Sequence, residues 1–238
     1  MGRSTPSTWV PNPAKITVEY TGEHGVFRVY DKENKERIDL DVPFRFVWVE
    51  TMVSIIGFSE KFNKRLVSNE LNRTMAKTEH FDIFYFEEKN GKAERVMVLS
   101  GPYKEIKDEA RSFGATYAFV VYAVAEGSNG PIKDGDLIRI VMNGSCRNAW
   151  IDAGPDRNRW PGGVEFFDVV KKKKGKNEYF EPMFRQIDVE DDCIAKAVNA
   201  DKMVQAWIEQ APVKAEQAPA KADEHVDFKE EEEDDIPF

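Results

Sequence analysis

Hydrophobic and polar residues alternate along much of the chain, which is the pattern of β-strands that turn one face toward a core. Residues 16–20 and 26–30 alternate in this way around Thr21-Gly-Glu-His-Gly25, a short polar segment with two glycines. Glycine supplies the backbone freedom that tight turns need, so these residues predict a β-hairpin. Residues 36–42 repeat the alternation and predict a third strand.

The segment Phe44–Phe58 is the most strand-like part of the chain, because aromatic and β-branched residues dominate it. It is long for a single strand. Gly57 predicts a bend or bulge near its end, as in a strand that curls to close a barrel. Strict alternation assigns the side chains to two opposite faces: Val47, Val49, Val53 and Ile55 on one, and Phe44, Phe46 and Trp48 on the other.

Further elements follow from turn signals and from helical periodicity. Asn90-Gly91 is typical of a tight hairpin turn, and Pro102 with Gly114 marks the start and the stop of a helix. Asp188 suits the cap of a C-terminal helix with a stripe of apolar residues. The predicted elements are strands 80–87 and 94–100, helix 102–113, strands 115–125 and 137–142, helix 145–152, the hairpin 164–173 with 178–187, and helix 190–210.

The order of these elements indicates a mainly β protein of the α+β class. Three strands, a helix and two more strands form the succession of the OB-fold, a five-stranded Greek-key barrel that often binds single strands of nucleic acid. We therefore expect an OB-fold-like barrel with extra β-hairpins and a C-terminal helix in residues 16–211. Residues 1–15, with three prolines, are expected to form an extended arm, and residues 212–238 a linker and tail.

The charge of the chain is unevenly distributed. Residues 212–238 hold ten acidic residues and three lysines, a charge of −7, so only −2 of the formal net charge of −9 belongs to residues 1–211. A nearly neutral body can carry a basic groove, because local potential rather than net charge attracts phosphates. Residues 212–226, rich in Ala, Lys, Glu and Pro, predict a flexible linker.

The chain ends in six consecutive acidic residues, Glu230–Asp235, followed by Ile236-Pro237-Phe238. Like charges at this density prevent packing, so we expect a disordered interaction tail. Its aromatic tip and carboxylates suit an apolar pocket bordered by Lys and Arg. The stretch resembles the C-terminal tip of bacterial and phage single-stranded DNA-binding proteins, which recruits replication and repair proteins. The resemblance implies that a polymerase, primase, helicase or nuclease binds the residues Asp234, Asp235, Ile236, Pro237 and Phe238.

Two segments in the middle of the chain add to this resemblance. Residues 103–123, which include Phe113-Gly-Ala-Thr-Tyr-Ala-Phe-Val-Val-Tyr-Ala123, and Gly144-Ser-Cys-Arg-Asn-Ala-Trp-Ile151 are similar to segments of phage-encoded OB-fold single-strand binders. The similarity implies a role in DNA replication, recombination or repair in a bacterial or phage-infected cytoplasm. The N-terminal arm and a Lys-rich hairpin depart from the compact bacterial family, so its tetramer and its DNA-contact positions are not carried over.

Binding of single strands without sequence readout requires cations along the phosphates and flat rings against the bases. Both residue types are interleaved on the predicted strands, where each exposed ring would contribute about 1–3 kcal/mol per base. Phe84, Phe86 and Phe119 are more typical of a core, whereas for Trp48 and Tyr117 stacking and core roles both stay open. The candidate DNA-binding residues on strands are Arg45, Phe46, Trp48, Tyr85, Tyr117 and Arg139.

Three basic clusters lie in predicted loops and turns. The first consists of Lys61, Lys64, Arg65 and Arg73. The second combines charge with a stacking ring in a Gly- and Pro-rich segment: Arg147, Arg157, Arg159 and Trp160. The third lies at a hairpin tip without an interrupting acid: Lys171, Lys172, Lys173, Lys174 and Lys176. One interpretation is that such a hairpin closes over DNA as a β-arm. The other is that the lysines only keep a sheet edge from pairing.

The sequence lacks the residues that other classes of function require. Asp39 and Asp41 alternate toward the outer face of a predicted strand, and Asp134 and Asp136 belong to an ordinary turn. Neither pair is therefore assigned to the metal site of a nuclease. The sequence has no Gly-rich phosphate loop followed by Lys and Ser or Thr, and its two cysteines and three histidines lack zinc spacing. We therefore predict a non-enzymatic cytoplasmic protein without metal, cofactor, signal peptide or membrane span.

The predicted function is that of a single-stranded DNA-binding protein, which coats and protects single-stranded DNA and recruits partner proteins through its acidic tip. Its state of homo-oligomerisation is left open. One alternative is a protein-interaction adaptor or DNA-mimicking inhibitor that binds no DNA. Another is a strand-annealing recombinase, which would accelerate the pairing of complementary strands and assemble into rings or filaments.

The tail yields a first prediction, the removal of residues 230–238. Affinity for oligo-dT should stay the same or rise, because the deletion removes negative charge that repels phosphates, while pull-down of replication proteins should be lost. A scrambled tail of equal charge is the matched control and should also lose the pull-down. Retained capture by the truncated chain would contradict the assignment of the tip as the partner-binding segment.

Overall fold

The computed structural model of the protein describes residues 12–31, 34–89, 91–154 and 160–209, except for the side chain of Lys92. The helices of this part are α1 (Tyr103–Ser112), α2 (Gly144–Ala153) and α3 (Asp191–Glu209), with a short 3₁₀ turn at Met75–Lys77. The strands are β1 (Ile16–Thr21), β2 (Val26–Asp31), β3 (Glu36–Asp39), β4 (Phe44–Ser59), β5 (Lys64–Ser68), β6 (Leu71–Asn72), β7 (His80–Lys89), β8 (Lys92–Pro102), β9 (Ala115–Glu126), β10 (Leu137–Met142), β11 (Gly162–Lys174) and β12 (Asn177–Ile187).

Strand β4 is the centre of the sheet. One of its edges pairs with β9 almost throughout its length. The other edge is divided among three partners: β11 pairs with Phe44–Trp48, β6 with Met52–Val53 and β5 with Ile56–Ser59. Its sixteen residues are mainly aromatic and β-branched, which favours this long extended conformation.

All strands belong to one sheet with the principal order β3-β2-β1-β10-β9-β4-β5-β7-β8, and the pairs are antiparallel except for β1 with β10. The predicted mainly β fold with added helices is confirmed. The sheet is open, with β3 and β8 at the ends of this order, and does not close on itself. The predicted five-stranded OB-fold-like barrel is therefore not confirmed.

A β-bulge in β4 overturns the predicted division of its side chains. Val49 is the extra residue, because Trp48 lies opposite Ala123 and Glu50 opposite Tyr122. One inserted residue shifts the alternation by one position. Val53 and Ile55 consequently share a face with Phe44, Phe46 and Trp48, whereas Val47 and Val49 face the opposite side.

Gly57 is required for a close backbone approach and not for the predicted bend. It lies opposite Ala115 in the regular pairing of β4 with β9. A Cβ atom at this position would lie 2.0 Å from the carbonyl oxygen of Gly114, a distance that no side chain tolerates. Glycine is therefore the residue that lets the two strands approach at this point.

Both faces of the sheet are covered. The face that carries Phe44 and Phe46 packs against α1, α2 and the β11–β12 hairpin, and we call this the large core. The opposite face packs against α3 through Ala197, Val204 and Trp207, and we call this the α3 core. Within the described ranges, no helix is long and apolar enough to cross a membrane.

A buried ion pair lies on the α3 side of the sheet. The guanidinium of Arg139 donates from Nε to Glu70 at 2.8 Å, and the hydroxyl of Tyr122 donates to the other carboxylate oxygen at 2.8 Å. Asn12 in turn donates to the Tyr122 hydroxyl at 2.6 Å. Glu70 and Tyr122 are buried, so Arg139 supplies the positive charge that makes the burial of this carboxylate tolerable.

This pair yields a prediction for stability. Arg139→Met should lower the free energy of unfolding by about 3–5 kcal/mol, because it leaves a buried carboxylate without its cation. The double variant Glu70→Gln with Arg139→Met should lose less, since the amide is neutral and can still accept from Tyr122. Urea unfolding measures both.

The matched control for this prediction is Arg28→Met. Arg28 pairs with Asp39 at the protein surface, where an ion pair contributes about 1 kcal/mol or less. Equal losses for Arg28→Met and Arg139→Met would show that the Glu70 pair is no more important than a surface pair.

Candidate nucleic-acid interface

The structure places two predicted stacking rings in the large core. Phe46 is fully buried, and Trp48 is buried with its Nε1 donating to Thr51 Oγ1 at 2.9 Å. A ring without an exposed face cannot stack on a base, so the predicted DNA contacts of Phe46 and Trp48 are wrong, and of the two roles left open for Trp48 it has the core one. The physical reason is that both faces of β4 are covered, which its alternating sequence does not reveal.

Tyr117 on β9 is half-buried at the meeting point of two helices. Its ring centroid lies 5.0 Å from that of Tyr103 at the start of α1 and 6.3 Å from that of Phe81. Arg147, in the first turn of α2, places its Cζ atom 5.7 Å from the Tyr117 centroid. This separation is within the range of a cation–π interaction.

A second guanidinium lies over a ring next to Tyr117. Arg73, which follows β6 and is exposed, places its Cζ atom 5.5 Å from the ring centroid of Phe119. The Phe119 ring lies 6.2 Å from that of Tyr117. Together, Arg73, Phe119, Tyr117, Arg147 and Tyr103 form what we call the arginine–aromatic row.

The two arginines of the row are not neutralised by the protein. Among the described residues, neither Arg73 nor Arg147 has a carboxylate within ion-pair distance, and the buried Nε of Arg147 has no hydrogen-bond partner. Burial raises the pKa of Tyr117 to about 12, and the positive charges of Arg73 and Arg147 oppose this rise. The row therefore combines unpaired cations with aromatic surface.

Trp160 lies at a cleft next to the row. Its side chain is 39% exposed, and its Nε1 donates to the carbonyl oxygen of Val49 at 2.8 Å. The cleft has a volume of about 540 Å³, and Arg73 connects it to Phe119. Its lining consists of Trp48, Val49, Glu50, Thr51, Asn72, Arg73, Thr74, Trp160 and Asp201.

The first predicted basic cluster is not one surface. Lys64 lies opposite Ser59 and Asn72 opposite Met52, so Asn72, the residue before Arg73, is about 23 Å along β4 from Lys64 at 3.3 Å per residue. Lys61 instead lies over Phe113, with Nζ 4.8 Å from the ring centroid.

The remaining members of that region have local partners. Tyr85 stacks on Phe62, with ring centroids 5.6 Å apart, and packs against the large core. Arg65 forms an ion pair with Glu19. Phe84 is buried as expected for a core residue, but Phe86 is 41% exposed, so its expected core position is wrong.

Two predicted DNA contacts on strands, Arg45 and Arg139, form ion pairs with carboxylates of the protein. Arg139 is held by Glu70 as described above. Arg45 donates to the buried Glu165 at 2.7 Å, and Arg185 donates to the other oxygen of the same carboxylate. Burial pushes the pKa of Glu165 upward, but the hydrogen bonds from Arg45 and Arg185 outweigh burial and hold it below its usual value.

The lysines of the Lys-rich hairpin have acidic partners on the opposite strand, although no acid interrupts their run in the sequence. Strand β12 places carboxylates beside the lysines of β11, so Lys171 pairs with Glu178 at 2.7 Å and Lys172 pairs with Glu181. Lys173 and Lys174 are exposed. The hairpin itself is confirmed with its predicted turn at Gly175, although its net positive charge is smaller than the run of lysines indicates.

Several predicted site residues lie outside the described part of the chain. They are Arg157, Arg159, Asp234, Asp235, Ile236, Pro237 and Phe238. Their roles stay predictions.

The sequence predicts Arg73 and Arg147 in different basic clusters, and Tyr103 is not among its predicted site residues. No local signal joins these positions, because the row is assembled by β9 and the starts of α1 and α2.

In the described ranges, no group of three or more His, Cys, Asp or Glu side chains is arranged to hold a metal ion. Comparisons of the chain with protein-family models, curated proteins and solved structures find no match.

The raised pKa of Tyr117 predicts a dependence of stability on alkaline pH. Its folded-state pKa of about 12 lies above the ordinary value of 10.0, so the stability that it contributes is complete below pH 10 and is lost as the pH rises toward 12. The free energy of unfolding should therefore fall more steeply between pH 10 and pH 12 in the wild type than in Tyr117→Phe.

Urea unfolding at several alkaline pH values measures this difference. Tyr30→Phe is the control for the loss of a phenol as such, because Tyr30 is exposed. A Tyr117→Phe slope equal to the wild-type slope would show that the Tyr117 phenol does not titrate differently in the folded protein.

Proposed function

We propose that the protein binds single-stranded DNA and that the arginine–aromatic row is part of the contact surface. The observation that carries the proposal is the pair of arginines, Arg73 and Arg147, which lie over neighbouring aromatic rings without a carboxylate partner in the described residues. Single-strand binding requires this combination of cationic groups and rings. A guanidinium already placed over a ring also keeps its N–H groups in a plane suited to phosphate oxygens.

The groups of the row have separate roles in this proposal. Arg73 and Arg147 meet phosphates, while the half-buried rings of Tyr103 and Tyr117 form the apolar floor between them. Trp160 is the more exposed ring beside the row and is the stacking surface. A base stacked on such a ring contributes about 1–3 kcal/mol.

The charge distribution supports the row over the other basic positions. Arg45, Arg65 and Arg139 each bond a carboxylate, so a phosphate would have to compete with an existing partner. Phosphate binding depends on local uncompensated charge. An open sheet can present such a row as well as a closed OB-type barrel can, so the proposal does not depend on barrel closure.

The proposal extends to the cellular role expected from the sequence. The protein coats single-stranded DNA during replication, recombination or repair in the cytoplasm, and Asp234–Phe238 recruit a polymerase, primase, helicase or nuclease. The support for this part is the acidic run with its apolar tip and the sequence resemblance of the tip and of residues 103–123. A tethered tip of this kind suits recruitment because it can bind a second protein while the body holds DNA.

The row predicts the effect of two substitutions on DNA binding. Arg73→Ala and Arg147→Ala should each weaken binding of oligo-dT roughly tenfold, since a charge-assisted contact contributes about 1.5–3 kcal/mol. Each should also reduce the slope of log affinity against log salt by about one, because one phosphate contact is lost. Titration of tryptophan fluorescence at two or more salt concentrations measures both quantities.

Arg37→Ala is the matched control for these substitutions. Arg37 is exposed on β3, the terminal strand of the sheet, and its removal changes the net charge by the same amount. Binding by the control should remain close to wild type. The proposed function fails if the wild type binds no oligo-dT at low salt, and the assignment to the row fails if all three variants bind alike.

A further inference from the structure

The cleft beside Trp160 arises from a gap in the pairing of β4. Strand β11 pairs with β4 as far as Trp48, and β6 begins to pair at Met52. The bulge at Val49 falls in the gap between these partners. The residues Val49–Thr51 therefore face a cleft on this edge instead of a neighbouring strand.

Side chains fix the conformation of this gap. Trp160 Nε1 donates to the carbonyl oxygen of Val49, and Trp48 Nε1 donates to Thr51 Oγ1. The carboxylate of Glu50 accepts from the backbone nitrogen of Thr51 at 2.9 Å. These bonds hold the Trp160 ring in one orientation at the mouth of the cleft, so a ligand need not order it on binding.

The charges of the cleft disfavour a phosphate inside it. Its lining includes one guanidinium, from Arg73, and two carboxylates, from Glu50 and Asp201. Among the described lining residues only Arg73 offers a phosphate a cation, whereas a nucleobase is neutral, flat and bears hydrogen-bonding groups on its edge. A volume of about 540 Å³ is in the range of pockets that hold small organic groups.

Asp201 gives the cleft a chemical preference. One of its carboxylate oxygens accepts from Gln205 Nε2 at 3.1 Å, and the second has no hydrogen-bond donor among the described residues. An ionised carboxylate only accepts hydrogen bonds. It therefore suits an exocyclic amino group, as in cytosine or adenine, and repels the carbonyl oxygen at the equivalent position of uracil or thymine.

We propose that the cleft beside Trp160 is a base-selective subsite, in which one nucleobase lies against Trp160 and donates its exocyclic amino group to Asp201. The proposal rests on the proposed function, because it assumes that a single strand follows the arginine–aromatic row. Arg73 borders both the row and the cleft, so it is placed to hold the phosphate of the nucleotide whose base enters. The subsite makes binding of single strands dependent on base identity.

The test compares oligo-dC with oligo-dU of equal length at neutral pH, using the full chain. These pyrimidines have the same ring size and differ at C4, which carries an amino group in cytosine and a carbonyl oxygen in uracil, and at N3, which accepts a hydrogen bond in cytosine and donates one in uracil. The wild type should bind oligo-dC roughly tenfold more tightly, in the range of discrimination that one base-edge contact supplies. In Asp201→Asn the ratio should fall to about twofold or less, because an amide can donate to uracil as well as accept from cytosine.

Two further measurements separate a base contact from a structural effect. The salt dependence of Asp201→Asn should equal that of the wild type, since no phosphate contact is lost. Gln205→Ala removes the partner of Asp201 but keeps its carboxylate, so this control should retain the preference for oligo-dC. Thermal unfolding of both variants verifies that they are folded.

The outcomes distinguish the subsite from the function on which it rests. Equal affinities of the wild type for oligo-dC and oligo-dU overturn the subsite and leave the proposed function intact. A preference that survives unchanged in Asp201→Asn also overturns the subsite. Absence of binding to either oligonucleotide at low salt overturns both proposals.

Discussion

The pairing of β4 is the constraint on which the rest of the structure depends. One edge of this strand is bound to β9, while the other must satisfy β11, β6 and β5 in succession. Unpaired backbone groups in the middle of a sheet are costly, so the gap between two of these partners needs other donors. The bulge at Val49 and the indole of Trp160 meet this need and thereby create the cleft.

A central strand covered on both faces cannot itself be a binding surface. This explains why the aromatic residues of β4 belong to the core, although their composition suits base stacking. Groups that can contact a ligand occur where one pairing partner of β4 gives way to the next, or where the sheet contacts a helix. Arg73 lies after the short strand β6, and Arg147 and Tyr103 lie at the beginnings of helices. The candidate interface follows these boundaries.

Local signals in the sequence were sufficient for most elements and insufficient for their arrangement. The hairpin of β7 with β8, the helix that begins after Pro102 and the strand from Leu137 to Met142 follow from short-range patterns and occur as predicted. The bulge at Val49 has no such signal, and it alone reverses the face assignment of Val53 and Ile55. The ion pairs of the Lys-rich hairpin are different, because its predicted turn already implied cross-strand neighbours for the lysines.

Charge pairing separates the arginines that hold the fold together from those available to a ligand. Arg45 and Arg139 each pair with a buried carboxylate; Arg45 shares Glu165 with Arg185, whereas removing Arg139 would leave the charge of Glu70 uncompensated. Arg73 and Arg147 neutralise nothing in the described residues and lie over rings. Counting cations along the sequence gives these two classes equal weight, whereas phosphate affinity depends only on the second. The nearly neutral body of this protein is therefore compatible with a strand-binding surface built from few residues.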